Sequence, residues 1–101
     1  MAIRVGINGF GRIGRAVFRV LRSRGGEVVG INDLTSAKTL AHLLKYDTVM
    51  GPYSEPVSAA DESGINVGSS PIPITAIRDP AEIPWSKMGA DDVIESTGVF
   101  G

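Results

Sequence analysis

Residues Gly9-Phe10-Gly11-Arg12-Ile13-Gly14 spell G-x-G-x-x-G, and the residues on either side narrow what that pattern can be. Before it, Ile3-Arg4-Val5-Gly6-Ile7-Asn8 is apolar at alternate positions, as a strand is. After it, Ile13, Val17, Val20 and Leu21 recur at helical spacing and predict a helix over 12–23 with that stripe facing the core. A second apolar run, 27–32, ends at Asp33, 19 positions after Gly14. A glycine turn alone also joins strands and helices that bind nothing. Strand, glycine loop, helix, strand and acid in this register form the fingerprint of a dinucleotide-binding βαβ unit.

Each part of the unit has a physical task. Gly9 lets the chain turn out of the strand, Gly11 leaves room for a pyrophosphate against the backbone, and Gly14 lets the helix pack closely. The helix start offers unpaired N–H groups and the positive end of its dipole to an anion. Arg12, in the first turn, is the one arginine of this helix placed to touch a phosphate. Arg15, Arg19 and Arg22 read as a solvated polar face. Asp33 is placed to accept from the ribose hydroxyls of an adenosine and to repel a 2′-phosphate, which favours NAD over NADP.

Composition removes other classes. The chain has 101 residues, room for one small domain. A net charge of −1 argues against a nucleic-acid or membrane surface as partner. No apolar run is long enough for a bilayer span and no signal-peptide pattern opens the chain, so a cytoplasmic location is expected. With no cysteine there is no thiolate nucleophile or thiolate metal site, and His42 is the single imidazole. No metal ligands are expected. His42 reads as an exposed helix residue rather than a general base.

Along the rest of the chain, Thr35 or Ser36 caps a helix over 37–46 with Leu40, Leu43 and Leu44 inward. Turn signals from Gly51 to Ser70 bracket short extended pieces, 56–59 and 65–67, which predict a small antiparallel hairpin. A third sheet strand is expected over 72–77, peripheral because of Pro73, with Trp85 anchoring the loop beyond it. A fourth strand follows over 92–95, then Ser96-Thr97-Gly98. The expected fold is α/β: a partial Rossmann fold with a doubly wound parallel sheet, strand order 3-2-1-4, and the hairpin as an insertion. That order makes strands 1 and 4 neighbours, so the glycine loop and Ser96-Thr97-Gly98 line one crevice.

The segments Gly6–Arg15, Ile31-Asn32-Asp33, His42–Asp47, Arg78-Asp79-Pro80 with Ile83-Pro84-Trp85, and Glu95–Phe100 follow one another as the motifs of the N-terminal part of glyceraldehyde-3-phosphate dehydrogenases do. The chain resembles that family along essentially its whole length. The resemblance implies NAD as cofactor. It also implies oxidative phosphorylation of an aldehyde, in which a thiolate attacks glyceraldehyde 3-phosphate, hydride passes to the nicotinamide and phosphate releases the acyl group. Carried over by position, Arg12 and Ile13 hold the pyrophosphate through their backbone, Asp33 binds the ribose, and Arg78 lies at the adenine end. Ser96, Thr97 and Gly98 lead toward the nicotinamide with Phe100 close by, and Asn8 and Asn32 shape the crevice.

The family's nucleophile and phosphate-binding residues belong to segments beyond this chain. The expectation is therefore a fragment: residues 1–101 as an incomplete NAD-binding Rossmann domain with the catalytic domain absent. It would bind NAD or an ADP-ribose-like nucleotide weakly, without catalysis, and self-associate through the exposed edge of the fourth strand. A stand-alone nucleotide-binding or edge-assembling module, or a fragment of the related erythrose-4-phosphate dehydrogenases, are the alternatives.

Overall fold

The computed structural model describes residues 3–47 and 50–97. Strand β1 (Arg4–Asn8) leads through the glycine loop into helix α1 (Arg12–Ser23), and β2 (Glu27–Asn32) follows. Helix α2 (Ala37–Lys45) comes next, then β3 (Val57–Asp61), β4 (Gly64–Val67) and β5 (Ser70–Thr75). A 3-10 turn (Pro80–Glu82), the short helix α3 (Trp85–Met88) and β6 (Asp92–Glu95) complete the described chain. The strands form one six-stranded sheet in the order β3-β4-β5-β2-β1-β6.

Within it, β5, β2, β1 and β6 run parallel, in the order expected for the third, second, first and fourth strands. The difference lies in the hairpin. It is not a separate insertion: β4 pairs antiparallel with β5, so the sheet is mixed and β5 is interior. The prolines permit this by alternation. The Ile74 N–H donates to the Ser63 carbonyl on the hairpin side, whereas the Thr75 carbonyl accepts from the Asp33 N–H on the β2 side. Pro71 and Pro73 share the parity of Thr75, and β2 reaches only Ile74 and Thr75, so the missing N–H groups fall where no strand asks for them.

The core lies where α1, α2 and the hairpin meet one sheet face. Ile7, Ile31, Phe18, Leu40, Leu44 and Ile65 are fully enclosed there. Helix α1 is rotated from the expected stripe. Gly14 and Phe18 point inward with Leu21 beside them, while Ile13 is 68% and Val20 48% exposed. The Phe18 ring explains the rotation, meeting Phe10 edge-on at 5.6 Å and Tyr53 at 6.0 Å. Helix α2 starts at Ser36, whose hydroxyl accepts from the Thr39 N–H, and buries Leu40, Ala41 and Leu44 but leaves Leu43 outside. His42 is exposed and lies against Tyr46, ring centroids 4.9 Å apart and planes tilted by 55°.

Arg15, Arg19 and Arg22 are not a free solvated face. Arg19 donates to the carbonyls of Leu44, Met50 and Gly51. Arg22 forms a two-pronged pair with Glu55 at 2.9 and 2.8 Å, and Tyr53 donates to the same carboxylate. Amphipathic spacing could not reveal this, because the partners are backbone carbonyls and an acid supplied by a distant turn. The Arg22 hydrogen bonds hold the Glu55 carboxyl below the usual carboxylate range.

On the opposite face, Gly6 stands in register with Gly30, leaving a shallow trough for α3. A side chain at Gly6 would run into the Trp85 ring, and one at Gly30 would come within 2.5 Å of the Met88 sulfur. Trp85 thus anchors its loop, as expected. At the far side, β6 pairs with β1 alone among the described strands, and Val93 is 39% exposed.

The rigid indole makes Gly6 the sensitive position: Gly6→Ala is expected to cost about 1–3 kcal/mol in urea unfolding. Unchanged stability would mean that α3 does not pack on β1. A second test uses Tyr53, whose hydroxyl is pushed up to about 12, first by burial and then by the Glu55 hydrogen bond. A raised folded-state value contributes stability below the unfolded tyrosine range, lost as pH rises from about 10 toward about 12. Unfolding free energy should fall over that interval, and less steeply in Tyr53→Phe.

Candidate nucleotide-binding cleft

The carboxyl ends of β1, β2 and β6 open into a cleft of about 490 Å³, a volume suited to a nucleotide-sized ligand. Asn8, Gly9, Asn32, Asp33, Arg78 and Thr97 line it, six of the residues singled out from the sequence. Leu34, Ile77, Pro80 and Glu95 complete the wall.

Two loops close on each other at its base. Gly9 has φ 94°, in the left-handed region, and a side chain there would lie 2.5 Å from the Thr97 Cα. The Ser96 N–H donates to the Asn8 carbonyl at 2.8 Å, and its hydroxyl donates to the Gly9 carbonyl at 2.6 Å. Ser96 is thus spent in tying the loop after β6 to the glycine loop. Gly14 is required from the other side, since a Cβ would strike the Gly9 carbonyl oxygen and approach the Ser96 hydroxyl.

Asp33 reaches across to the glycine loop. One carboxylate oxygen accepts from the Phe10 N–H at 2.7 Å, and the other from the Thr35 N–H at 2.9 Å. These two bonds fix its rotamer. A carboxylate has about four acceptor positions, so capacity remains for a ligand hydroxyl in the cleft. Phe10 itself turns its ring into the core and offers the loop only its backbone.

Helix α1 begins beside this point. Gly11 is its N-cap, no side chain caps it, and no acid occupies its first turn. The space a side chain would occupy at Gly11 is open. Gly11, Arg12 and Ile13 are exposed at this start, outside the wall of the cleft proper. The arrangement leaves the first-turn N–H groups and the positive end of the helix for an anion. Gly98 and Phe100 lie outside the described residues.

Asn8 and Asn32, only 6% and 4% exposed, form the floor. The Asn32 oxygen accepts from the Thr75 hydroxyl at 2.7 Å and from the Ile77 N–H at 2.9 Å. Its amide nitrogen donates to the Ile77 carbonyl and to the Asn8 oxygen, both at 3.0 Å. The Ile77 N–H can only donate and its carbonyl can only accept, so the backbone sets which way the Asn32 amide faces. Asn32 sets Asn8 in turn, whose nitrogen then donates to both Glu95 oxygens at 3.1 and 2.9 Å. The two asparagines are braces whose side-chain bonds are satisfied within the protein. Glu95 escaped sequence reasoning. It ends the fourth strand and opens the Glu95–Phe100 segment of the resemblance, but neither gives it a role at the cleft.

This polarity makes Asn32→Asp an informative change. An acceptor would replace the donor facing the Ile77 carbonyl and the Asn8 oxygen, at a cost of about 1–3 kcal/mol per buried group left unpaired. Thermal unfolding should show the loss. An unaffected melting temperature would mean that the chain of amides is not formed.

Residues 3–101 match the family described as glyceraldehyde 3-phosphate dehydrogenase, NAD binding domain. Among curated proteins, the chain is 59% identical over 98 residues to glyceraldehyde-3-phosphate dehydrogenase 1 of Bacillus cereus, covering 96% of this chain and 29% of that protein. It is 55% identical over 98 residues to glyceraldehyde-3-phosphate dehydrogenase of Borreliella burgdorferi, covering 97% of this chain and 29% of the other. It is 51% identical over 102 residues to glyceraldehyde-3-phosphate dehydrogenase 1 of Streptomyces avermitilis, covering 99% and 30%. The chain therefore spans about 30% of the length of the relatives it matches. The βαβ unit, the uncapped helix start and the acid at the end of β2 are thus parts of an NAD-binding domain, and the chain belongs to the glyceraldehyde 3-phosphate dehydrogenase family.

Proposed function

We propose that this chain supplies the coenzyme-binding part of a phosphorylating, NAD-dependent glyceraldehyde-3-phosphate dehydrogenase. In this reading the adenosine half of NAD occupies the cleft over β2, β1 and β6. Asp33 accepts from the ribose hydroxyls, Arg78 borders the adenine, and the backbone of Gly11, Arg12 and Ile13 receives the pyrophosphate. Gly9 and Gly14 keep the loop tight, Phe10 contributes its backbone, and Asn8 and Asn32 brace the floor. The observation that carries the reading is the Asp33 carboxylate, locked by the Phe10 N–H on the wall of the cleft beside a helix start with no cap of its own. Ser96 and Thr97 stand at the entrance of the passage toward the nicotinamide; Gly98 and Phe100, assigned to that passage by the resemblance, lie outside the described residues.

When bound, NAD supplies the acceptor for a hydride from the substrate carbon. This chain's residues hold the coenzyme and turn its adenosine end away from water. None of them can serve as a thiolate nucleophile, since the sequence has no cysteine. We therefore read residues 1–101 as an incomplete NAD-binding domain that binds the coenzyme weakly and does not turn over substrate. Among the described residues the outer edge of β6 has no partner strand and Val93 is exposed, which supports self-association of the chain, because unpaired strand groups recruit another strand.

Calorimetric titration with NAD, ADP-ribose and NADP tests the assignment. NAD and ADP-ribose should bind alike, with NADP weaker. Asp33→Ala should weaken NAD roughly tenfold and narrow its advantage over NADP. Unchanged selectivity in Asp33→Ala would remove Asp33 from the site.

A further inference from the structure

Arg15 is the one α1 arginine that touches the glycine loop. Its Nη1 donates to the Phe10 carbonyl at 3.1 Å, and its Nε lies 3.5 Å from a carboxylate oxygen of Asp47. Both side chains are sheltered, at 13% and 4% exposure. Asp47 is itself oriented, accepting from the Met50 N–H at 2.8 Å. The guanidinium faces inward and is not aimed at a ligand.

Its effect on a ligand runs through one peptide plane. The Phe10 carbonyl and the Gly11 N–H belong to the same peptide unit. The described chain has no cis bonds, so the two groups point in opposite directions. Arg15 holds the carbonyl on its own side of the loop, so the Gly11 N–H of the same trans peptide is directed to the opposite side. The preceding peptide is fixed from the other side, where the Phe10 N–H donates to Asp33. The loop is clamped on one face by the acid and on the other by the arginine.

We propose that Arg15 is a positioning residue for the phosphate-binding loop, and that the Arg15–Asp47 ion pair sets how well Gly11 presents its N–H to a diphosphate. The inference rests on the coenzyme reading above and goes beyond it. It assigns affinity for the phosphate portion of the ligand to a sheltered pair that does not face the ligand. The ion pair also links the segment after α2 to the glycine loop, so a disturbance near Asp47 is felt as weaker phosphate binding.

The test compares NAD with adenosine, which lacks phosphates, on the wild-type chain, Arg15→Gln and Asp47→Asn. Binding is followed by titration, and folding by thermal melting. The readout is the ratio of the adenosine to the NAD dissociation constant. Arg15→Gln should shrink that ratio roughly tenfold while adenosine binding holds, since one oriented donor to an anion is lost. Asp47→Asn keeps an acceptor for the Met50 N–H but removes the charge beside Arg15, and should shrink the ratio in the same direction by less. If Arg15→Gln fails to fold, Asp47→Asn decides on the same ratio. A ratio unchanged in the folded variants, or equal weakening of both ligands, overturns the proposal. A wild-type chain that gains nothing from the phosphates overturns the coenzyme reading itself, and the proposal with it.

Discussion

The hydrogen bond from the Phe10 N–H to the Asp33 carboxylate, 2.7 Å long, ties the first half of the βαβ unit to the second. It requires Gly9 to adopt a backbone only glycine tolerates well, and it requires β1 and β2 to end side by side. The parallel register, with Asn8 opposite Asn32, delivers that alignment. A charge-assisted bond to a backbone donor is among the stronger neutral-to-ion contacts a protein makes. Here it holds the acid at the cleft and the loop at the helix start with one contact.

Around that bond the polar interior is organised by direction rather than by number. The backbone of Ile77 imposes an orientation on Asn32, Asn32 imposes one on Asn8, and Asn8 presents two donors to Glu95. A buried amide with all its partners adds specificity, whereas one left half satisfied is costly. The ends of β1, β2, β5 and β6 are thus held in relation to one another by side chains. Arg19 and Arg22 of α1 fasten Leu44, Gly51 and Glu55 to the helix through two carbonyls and one carboxylate.

Local signals carried most of the architecture into the sequence. Alternation in 3–8, the glycine pattern and the Ser36 cap depend on neighbours within a few residues, and the elements they announce formed within a residue or two. What could not be read was set by distant partners. The inward face of α1 departs from the apolar stripe because Phe18 finds Phe10 and Tyr53, and Tyr53 is 35 positions away. The hairpin joins the main sheet because the two prolines of β5 face the β2 side ahead of Ile74 and Thr75, where β2 does not reach. At the cleft, Asp33 and the glycine loop were legible from spacing alone. Glu95 was not, since its position depends on an amide orientation relayed from the far side of β2.

In the proposed complex a diphosphate rests at the start of α1 while Asp33 grips the adjoining sugar. Backbone amide shifts recorded during NAD addition test it residue by residue. The largest changes are expected at Phe10, Gly11, Arg12, Ile13 and Asp33, with the amides of the β3–β4 hairpin still. Shifts centred on the hairpin, with the glycine loop silent, would contradict it.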